Sequence, residues 1–413
     1  MTAELSTSGR RHYFDGVRYL TIMCVVLFHA TMAYSNYARW WPVTESHRSL
    51  ALNVLLSILD VYMMPVLFFV AGVFAVPSMR RHGPGAFMIG KLRRLGIPLV
   101  LITVFSNPIV SYVRHVRMHE APMGLFEFWL GHLRTAGDMS VTFLAGRSTD
   151  AKYIDYISLW HLWFISLLIV FFAVYAITHI PVLKRLWAPP VNDTPGSRRI
   201  LLTMLVFGLV TALLVSIFGM CTVPRTWVRI GPFLVFQLTR APIYLGLFAL
   251  GAYAYSRKWF EDRTLPGAFW IWGLAAFLLF VSNLGFIAAM KNHPDLPRWF
   301  GAVVNGVLRS FLGLAFTGLF LTLCHRFFNR PSAISRSLGD ATYDIYLIHL
   351  PIVIGLQYLL QSLSISIYLK PLIVFVITFA ACWGLSRWLI KPHPRIAVGV
   401  LIASFGGLCV ILV

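Results

Sequence analysis

Charge is scarce in this chain, and negative charge is scarcest. Of 413 residues only 12% are charged, and 15 Asp and Glu face 35 Lys and Arg. Hydrophobic residues make up 58% of the sequence, above the roughly 45–50% that is usual for soluble domains. A water-soluble fold cannot bury so large an apolar fraction, which excludes soluble enzymes and soluble binding modules.

Cysteine is also scarce, with 5 residues in the whole chain. They are an odd, scattered set in or beside apolar segments, so a disulfide framework and a zinc site are not expected. His115 and His119 have the i, i+4 spacing of a helical metal pair, but no third ligand or HExxH pattern accompanies them, and we predict no metal. The cysteines are Cys24, Cys221, Cys324, Cys382 and Cys409.

What the chain has in abundance is long apolar segments. Segments of roughly 18 to 25 residues recur along its length, each able to cross a hydrocarbon core of about 30 Å as an α-helix. We predict an all-α fold, a polytopic integral membrane helix bundle of about ten or eleven transmembrane helices. The membrane domain covers 10–395, and for an apolar tail at 396–413 a further transmembrane helix and a peripheral segment both remain open. The predicted spans are 17–38, 50–76, 95–113, 157–180, 200–223, 231–255, 266–290, 299–323, 341–361 and 371–390.

Basic residues fall in short runs between the apolar segments. The formal net charge is +20 at pH 7, but nucleic-acid binding needs a basic face on a folded domain, so no nucleic-acid partner is predicted. The runs are concentrated in alternate loops, among them 80–94, 184–199 and 326–336. Because cytoplasmic loops of membrane proteins carry an excess of Lys and Arg, these loops and the amino terminus are predicted to face the cytoplasm.

A few ionisable residues remain inside the predicted spans. A charged side chain costs roughly 2.5 to 3.5 kcal/mol at the centre of a membrane helix on insertion scales, so these residues are expected to face a polar interior. One hypothesis is a single midplane cavity in which Arg240 and Arg309, placed against Asp60, hold an anionic or oxyanionic centre. The alternative is that Asp60 pairs with one of the two arginines and only fixes helix packing. The residues are His29, Asp60, Arg240, Arg309, Asp344 and His349.

Depth and helical phase refine this set. Asp60, Arg240 and Arg309 each lie about ten residues from the outer end of their predicted span, or roughly 15 Å at helical rise. Arg18 and His29 are eleven residues apart, which is three turns plus roughly 20°, so they lie on one helix face about 16 Å apart along the axis. A packing histidine and a catalytic histidine both remain open at position 29.

Two further positions are secondary candidates. Asp344 and His349 are turned about 140° apart on a helix, so they are not expected to face the same cavity. His161 is flanked by Trp160 and Trp163 and is expected near the outer interface, either as a residue that binds an acceptor or as part of an aromatic belt.

Five sequence motifs follow one another along the chain. Together, and in this order, they resemble the membrane acyltransferase-3 family, and they extend over most of the chain. RRHYFDGVR, KLRRLGIP and HLWF resemble the osmoregulated periplasmic glucan succinyltransferases within that family. The motifs are RRHYFDGVRYLTIMCVVLFHATMAYS at 10–35, MPVLFFVAGVF at 64–74, KLRRLGIP at 91–98, WHLWFISLLIV at 160–170 and LGDATYDIYLIHLPIV at 338–353.

The resemblance implies roles for particular residues. His29 matches the family's essential first-helix histidine, Arg18 its arginine partner, and Lys91 with Arg94 its basic pair. The family commonly has arginine at both ends of that pair, so which of Lys91, Arg93 and Arg94 binds phosphate is open; lysine supplies charge without a planar fork. We expect Arg18 and these three residues to bind the phosphates of acyl-CoA. His29 is expected either to act as general base, for which an unperturbed pKa near 6.5 is suitable, or to carry the acyl group transiently.

The expected activity is that of an O-acyltransferase in the bacterial inner membrane, with the lipid bilayer as its surroundings. Succinyl-CoA or acetyl-CoA would be the co-substrate, and a hydroxyl of a periplasmic glucan or other glycan the acceptor. Asp60, Arg240, Arg309 and His349 are expected to support His29, while the oligomeric state stays open. The alternative is a secondary transporter for an anionic small molecule or glycan, since midplane charges also mark transport sites, although no inverted repeat is detected.

Overall fold

The computed structural model describes residues 12–38, 40–119, 122–144, 158–179, 194–223, 226–261, 265–330 and 332–412. Within these ranges the predicted all-α membrane bundle is confirmed. Two π-helical turns, Leu92–Gly96 and Ser386–Ile390, interrupt otherwise α-helical segments. The helices are α1 (His12–Met32), α2 (Leu50–Lys91), α3 (Ile97–Phe105), α4 (Asn107–Met118), α5 (Leu125–Arg134), α6 (Trp163–Thr178), α7 (Ser197–Cys221), α8 (Ala241–Ser256), α9 (Phe269–Asn292), α10 (Arg298–Phe327), α11 (Ala333–Leu360), α12 (Leu369–Leu385) and α13 (Pro394–Ile411).

Some of the positions used to predict topology lie outside the described residues. They belong to the amino terminus, to the predicted cytoplasmic loops at 184–199 and 257–263, and to the loops on the opposite side. These residues are Arg10, Arg11, Arg39, Arg147, Lys152, Lys184, Arg185, Arg225 and Arg263.

Nine helical segments in the described part of the chain are long and apolar enough to cross a membrane. One of them, Leu50–Met118, has 69 residues, far more than the roughly 20 that one crossing needs. It breaks at Gly83, whose φ is 73°, and Arg117 near its far end donates from Nη1 to the Trp41 carbonyl in the loop before α2, at 2.9 Å. The segment is therefore a hairpin that supplies two of the predicted crossings.

The prediction of a helical span at 231–255 was wrong in its first ten residues. That stretch belongs to a small antiparallel sheet of order β1-β2-β3, formed by Val141–Leu144, Trp227–Ile230 and Leu234–Gln237. Gly231 takes a φ of 56° in the turn between the last two strands, a conformation that favours glycine. Because Pro232 follows it, the apolar run reverses as a hairpin, and α8 begins only at Ala241.

The connection before this sheet contains a short amphipathic helix. This helix, α5, occupies Leu125–Arg134. Its buried residues are Leu125, Phe128 and His132, while Phe126 is 53% exposed. The apolar tail forms α13, one of the nine candidate spans among the described residues, and the Leu125 amide donates to the Leu412 carbonyl at 2.8 Å.

Close packing of α2 against α8 depends on two glycines. A Cβ on Gly72 would lie 2.0 Å from the Phe248 carbonyl oxygen, and a Cβ on Gly251 would lie 2.1 Å from the Phe69 carbonyl oxygen. Small residues allow membrane helices to approach this closely, and the contact then gains from van der Waals packing. This contact fixes the two helices that carry Asp60 and Arg240.

Candidate active site

Two histidines from distant parts of the chain meet inside the bundle. His29 lies near the end of α1 and His349 in the middle of α11, and His349 Nε2 is 3.0 Å from His29 Nδ1. The His349 side chain has 0% exposure, whereas His29 is partly exposed. His29 is therefore the more accessible ring of the pair.

The surroundings of His349 assign the tautomers of both rings. His349 Nδ1 lies 2.8 Å from the Tyr346 carbonyl and 3.1 Å from the Ile345 carbonyl. Carbonyls only accept, so Nδ1 carries the hydrogen, and Nε2 of the neutral ring must accept. His29 Nδ1 is then the donor, and its Nε2 keeps a lone pair.

His161 completes a cluster of three imidazoles. Its ring centroid is 4.8 Å from that of His349 and 6.3 Å from that of His29. The Tyr346 hydroxyl donates to the His161 carbonyl, and the side chain is only 5% exposed. The interpretation of His161 as a belt residue was wrong, because the 3-10 turn at Trp160–Leu162 directs it into the bundle.

Trp41 and Gln357 hold His29 in place. The Trp41 indole stacks on the His29 ring with centroids 5.6 Å apart and planes 13° apart, and its Nε1 donates to Gln357 Oε1 at 2.7 Å. Gln357 Nε2 donates to the carbonyls of His29 and Ala30, at 2.9 and 3.0 Å, where the end of α1 leaves carbonyls without helical partners. Neither Trp41 nor Gln357 was predicted from the sequence. Only ionisable side chains were candidates, and these two are an indole in a loop and an amide.

A second polar cluster joins α2 to α8. Arg240 forms a bidentate salt bridge with Asp60. Its Nη1 donates to Oδ1 at 2.7 Å, and its Nη2 donates to Oδ2. Tyr37 lies close to Asp60, and Tyr244 lies close to Arg240. Arg240 is the N-cap of α8 and not a residue deep in a helix, as the sequence had suggested, because the hairpin takes up the residues before it.

Arg309 lies beside this ion pair. Its Nε donates to Asn305 Oδ1 at 3.1 Å on the same helix, and it is near enough to Asp60 and Arg240 for their charges to interact. The pairing of Asp60 that the sequence left open is thus made with Arg240, and Arg309 remains as a second cation.

Asp344 belongs to neither cluster. Its Oδ2 accepts from Ser386 Oγ at 2.6 Å and lies 3.4 Å from Lys391 Nζ. The helical phase that separates Asp344 from His349 explains this. As the helical phase predicted, Asp344 does not share a site with His349, and the contacts join His29 with His349 and place Arg309 beside the pair of Asp60 and Arg240.

Basic residues gather at the end of the bundle opposite His29. The Lys91 ammonium lies over the rings of Phe172 and Phe87, 4.5 and 5.2 Å from their centroids, and is near the charges of Arg94 and Arg18. The first π-helical turn exposes its two arginines, Arg93 and Arg94. Arg18 forms an ion pair with Asp15 at 3.4 Å. Among the residues that the structure describes, no group of three or more His, Cys, Asp or Glu side chains is placed to hold a metal ion.

These features define a multi-pass membrane protein with buried polar clusters between helices that lie far apart in sequence. The chain belongs to the acyltransferase 3 family, whose acyltransferase-domain model matches residues 11–387. It is a membrane acyltransferase.

Several named relatives align with most of the chain at low sequence identity. Glucans biosynthesis protein C of Salmonella gallinarum is 21% identical over 404 residues, covering 94% of this chain and 92% of the relative. The proteins of the same name from Salmonella paratyphi B and Salmonella enteritidis PT4 have the same identity and coverage. No solved structure matches the chain.

Proposed function

We propose that this protein transfers a short acyl group, succinyl or acetyl, from cytoplasmic acyl-CoA to a hydroxyl of an extracytoplasmic glucan or other glycan. The protein would lie in the bacterial inner membrane. The observation that carries the proposal is the His29–His349 hydrogen bond, because it leaves a basic nitrogen on the partly exposed ring of His29. The name of the relatives favours a glucan as acceptor.

The two ends of the bundle suit the two substrates. The phosphates of CoA are too costly to bury, and Arg18, Lys91, Arg93 and Arg94 provide cations for them at one end. Arg18 and His29 lie on one face of α1 about 16 Å apart. The pantetheine arm would follow this face, so that the thioester approaches His29 from the cytoplasmic side and the hydroxyl from the other.

The proposed acyl transfer requires one residue that accepts the proton of the hydroxyl and later gives it to the thiolate. His29 Nε2 takes the proton of the acceptor hydroxyl while the oxygen attacks the thioester carbonyl. The tetrahedral intermediate then breaks its C–S bond, and the departing thiolate receives the proton from His29. His349 accepts the Nδ1 hydrogen of His29 throughout and stabilises the imidazolium that forms.

Acyl transfer by purified full-length protein tests this proposal. With radiolabelled succinyl-CoA or acetyl-CoA and glucan, we expect His29→Ala to lower transfer by a factor on the order of 10² or more, since general acid–base catalysis contributes that much. His293→Ala is the matched control, because His293 is an exposed residue that follows α9. Acylation that survives His29→Ala, or glycan uptake without acylation by the wild type, would contradict the proposal.

A further inference from the structure

The cluster around Asp60 has one positive charge too many. Asp60 is fully engaged by the two fork nitrogens of Arg240. Arg309 is hydrogen-bonded through Nε to Asn305, and among the described residues it forms no salt bridge. An unmatched guanidinium inside a membrane bundle is costly, and such residues usually mark a binding site.

Helix packing places the three charges together. On α10, Arg309 shares a face with the buried Gly306 and Gly313, so it points into the bundle. A Cβ on Gly313 would lie 3.5 Å from Pro65 of α2 and 3.6 Å from Ile243 of α8. These three helices run in the same direction, because an odd number of crossings separates each from the next. Three crossings lie between α2 and α8, and one, α9, lies between α8 and α10. Within about one turn of that contact, each helix carries one member of the cluster, namely Arg309, Asp60 and Arg240.

The cluster is mostly buried and lies close to His29 in depth. The side chains of Asp60 and Arg240 keep 18% and 13% exposure. Tyr62 donates to Cys24 at 3.3 Å and sets the register of the antiparallel α1 and α2. His29 is five residues beyond Cys24 and Asp60 two before Tyr62, which leaves about 5 Å between them along the axis.

We propose that Arg309, beside the Asp60–Arg240 pair, binds a carboxylate of a substrate. The two outer nitrogens of its planar fork match the two oxygens of a carboxylate, and one negative charge neutralises the cluster. This inference rests on the proposed function. The carboxylate belongs either to the far end of a dicarboxylic acyl group or to an acidic sugar of the acceptor.

Equilibrium binding to the purified full-length protein tests the site without turnover, since only one substrate is present. The probes are two pairs: succinyl-CoA against acetyl-CoA, and a uronate-bearing oligosaccharide against its neutral counterpart. The wild type is expected to bind the carboxylated member of one pair at least tenfold more tightly. Arg309→Gln is expected to abolish this preference and Arg309→Lys to reduce it. Arg298→Gln, at the exposed start of the same helix, should keep it.

A preference within the donor pair identifies the acyl carboxylate, and one within the acceptor pair identifies the acidic sugar. The proposal is overturned if the wild type shows no preference in either pair, or if the preference survives Arg309→Gln. Transfer by the wild type is measured in parallel. Acyl transfer without a carboxylate preference would refute the Arg309 site and leave the proposed function standing. A carboxylate preference without acyl transfer would support the site and refute the proposed function.

Discussion

In the proposed mechanism His349 acts on the acceptor through His29 and touches no substrate itself. In His349→Ala the hydrogen on His29 Nδ1 loses its imidazole acceptor and keeps only the Val25 carbonyl, so we expect kcat to fall by a factor on the order of 10² while KM for both substrates is unchanged. In His349→Gln the amide oxygen can accept the same hydrogen bond, and part of the activity should return. Steady-state kinetics of both variants measure this.

A structural role alone predicts a different pattern for these two variants. If His349 only filled space, both substitutions would reduce the amount of folded protein and leave its kcat intact. Equal kcat losses in His349→Ala and His349→Gln would also refute the relay, because only one of the two side chains offers an acceptor.

Residue by residue, the sequence singled out individual polar side chains but not the partners that they contact. His29 and Arg18 stood out by motif and by their common helix face. The partnership of His29 with His349 spans 320 positions, and no local spacing rule reports which helices of a bundle are neighbours. For the same reason the sequence left open whether Arg240 or Arg309 pairs with Asp60.

At the scale of helices, the contact of α2 with α8 is the most sensitive to added volume. In Gly251→Ala the new methyl would have to displace the Phe69 carbonyl, 2.1 Å away, and the two helices that carry Asp60 and Arg240 would move apart. We expect a loss of stability of about 1–3 kcal/mol, as for other overpacked cores. Thermal unfolding of the purified protein in detergent measures the change.

Gly355→Ala is the matched control for this substitution. Gly355 lies within α11, where an added Cβ meets nothing within 4 Å, and alanine is the better helix former by about 1 kcal/mol. The unfolding temperature should therefore stay the same or rise. Equal effects of the two substitutions would show that α2 and α8 do not depend on close approach.

Apolar runs predict where helices lie but not where a run folds back on itself. The segment from Trp227 to Gln237 is as apolar as its neighbours, yet it forms a hairpin that pairs with Val141–Leu144. Its Gly-Pro step was the available signal in the sequence. The partner strand lies far back along the chain, and hydropathy carries no record of such pairing.

At the scale of the whole molecule, the two proposed substrates must enter from opposite ends. Alternation of basic loops gave the orientation, and the structure adds that the Gly83 bend and the loop containing Trp41 lie at opposite ends of α2. The alternation of basic loops could not predict that the ionisable residues form separate clusters, because it contains no information about which helix faces are in contact.

Cysteine labelling determines which end is which. Gly85 and Gly137 are suitable positions, since a Cβ at either meets nothing within 4 Å, and Cys221 is first replaced by Ser because it is exposed. The bend is flanked by Arg80 and Arg81 and is expected in the cytoplasm. A membrane-impermeant maleimide should therefore label Gly137→Cys in intact spheroplasts and Gly85→Cys only after lysis. The reverse pattern would turn the basic cluster away from cytoplasmic CoA and leave His29 without its donor.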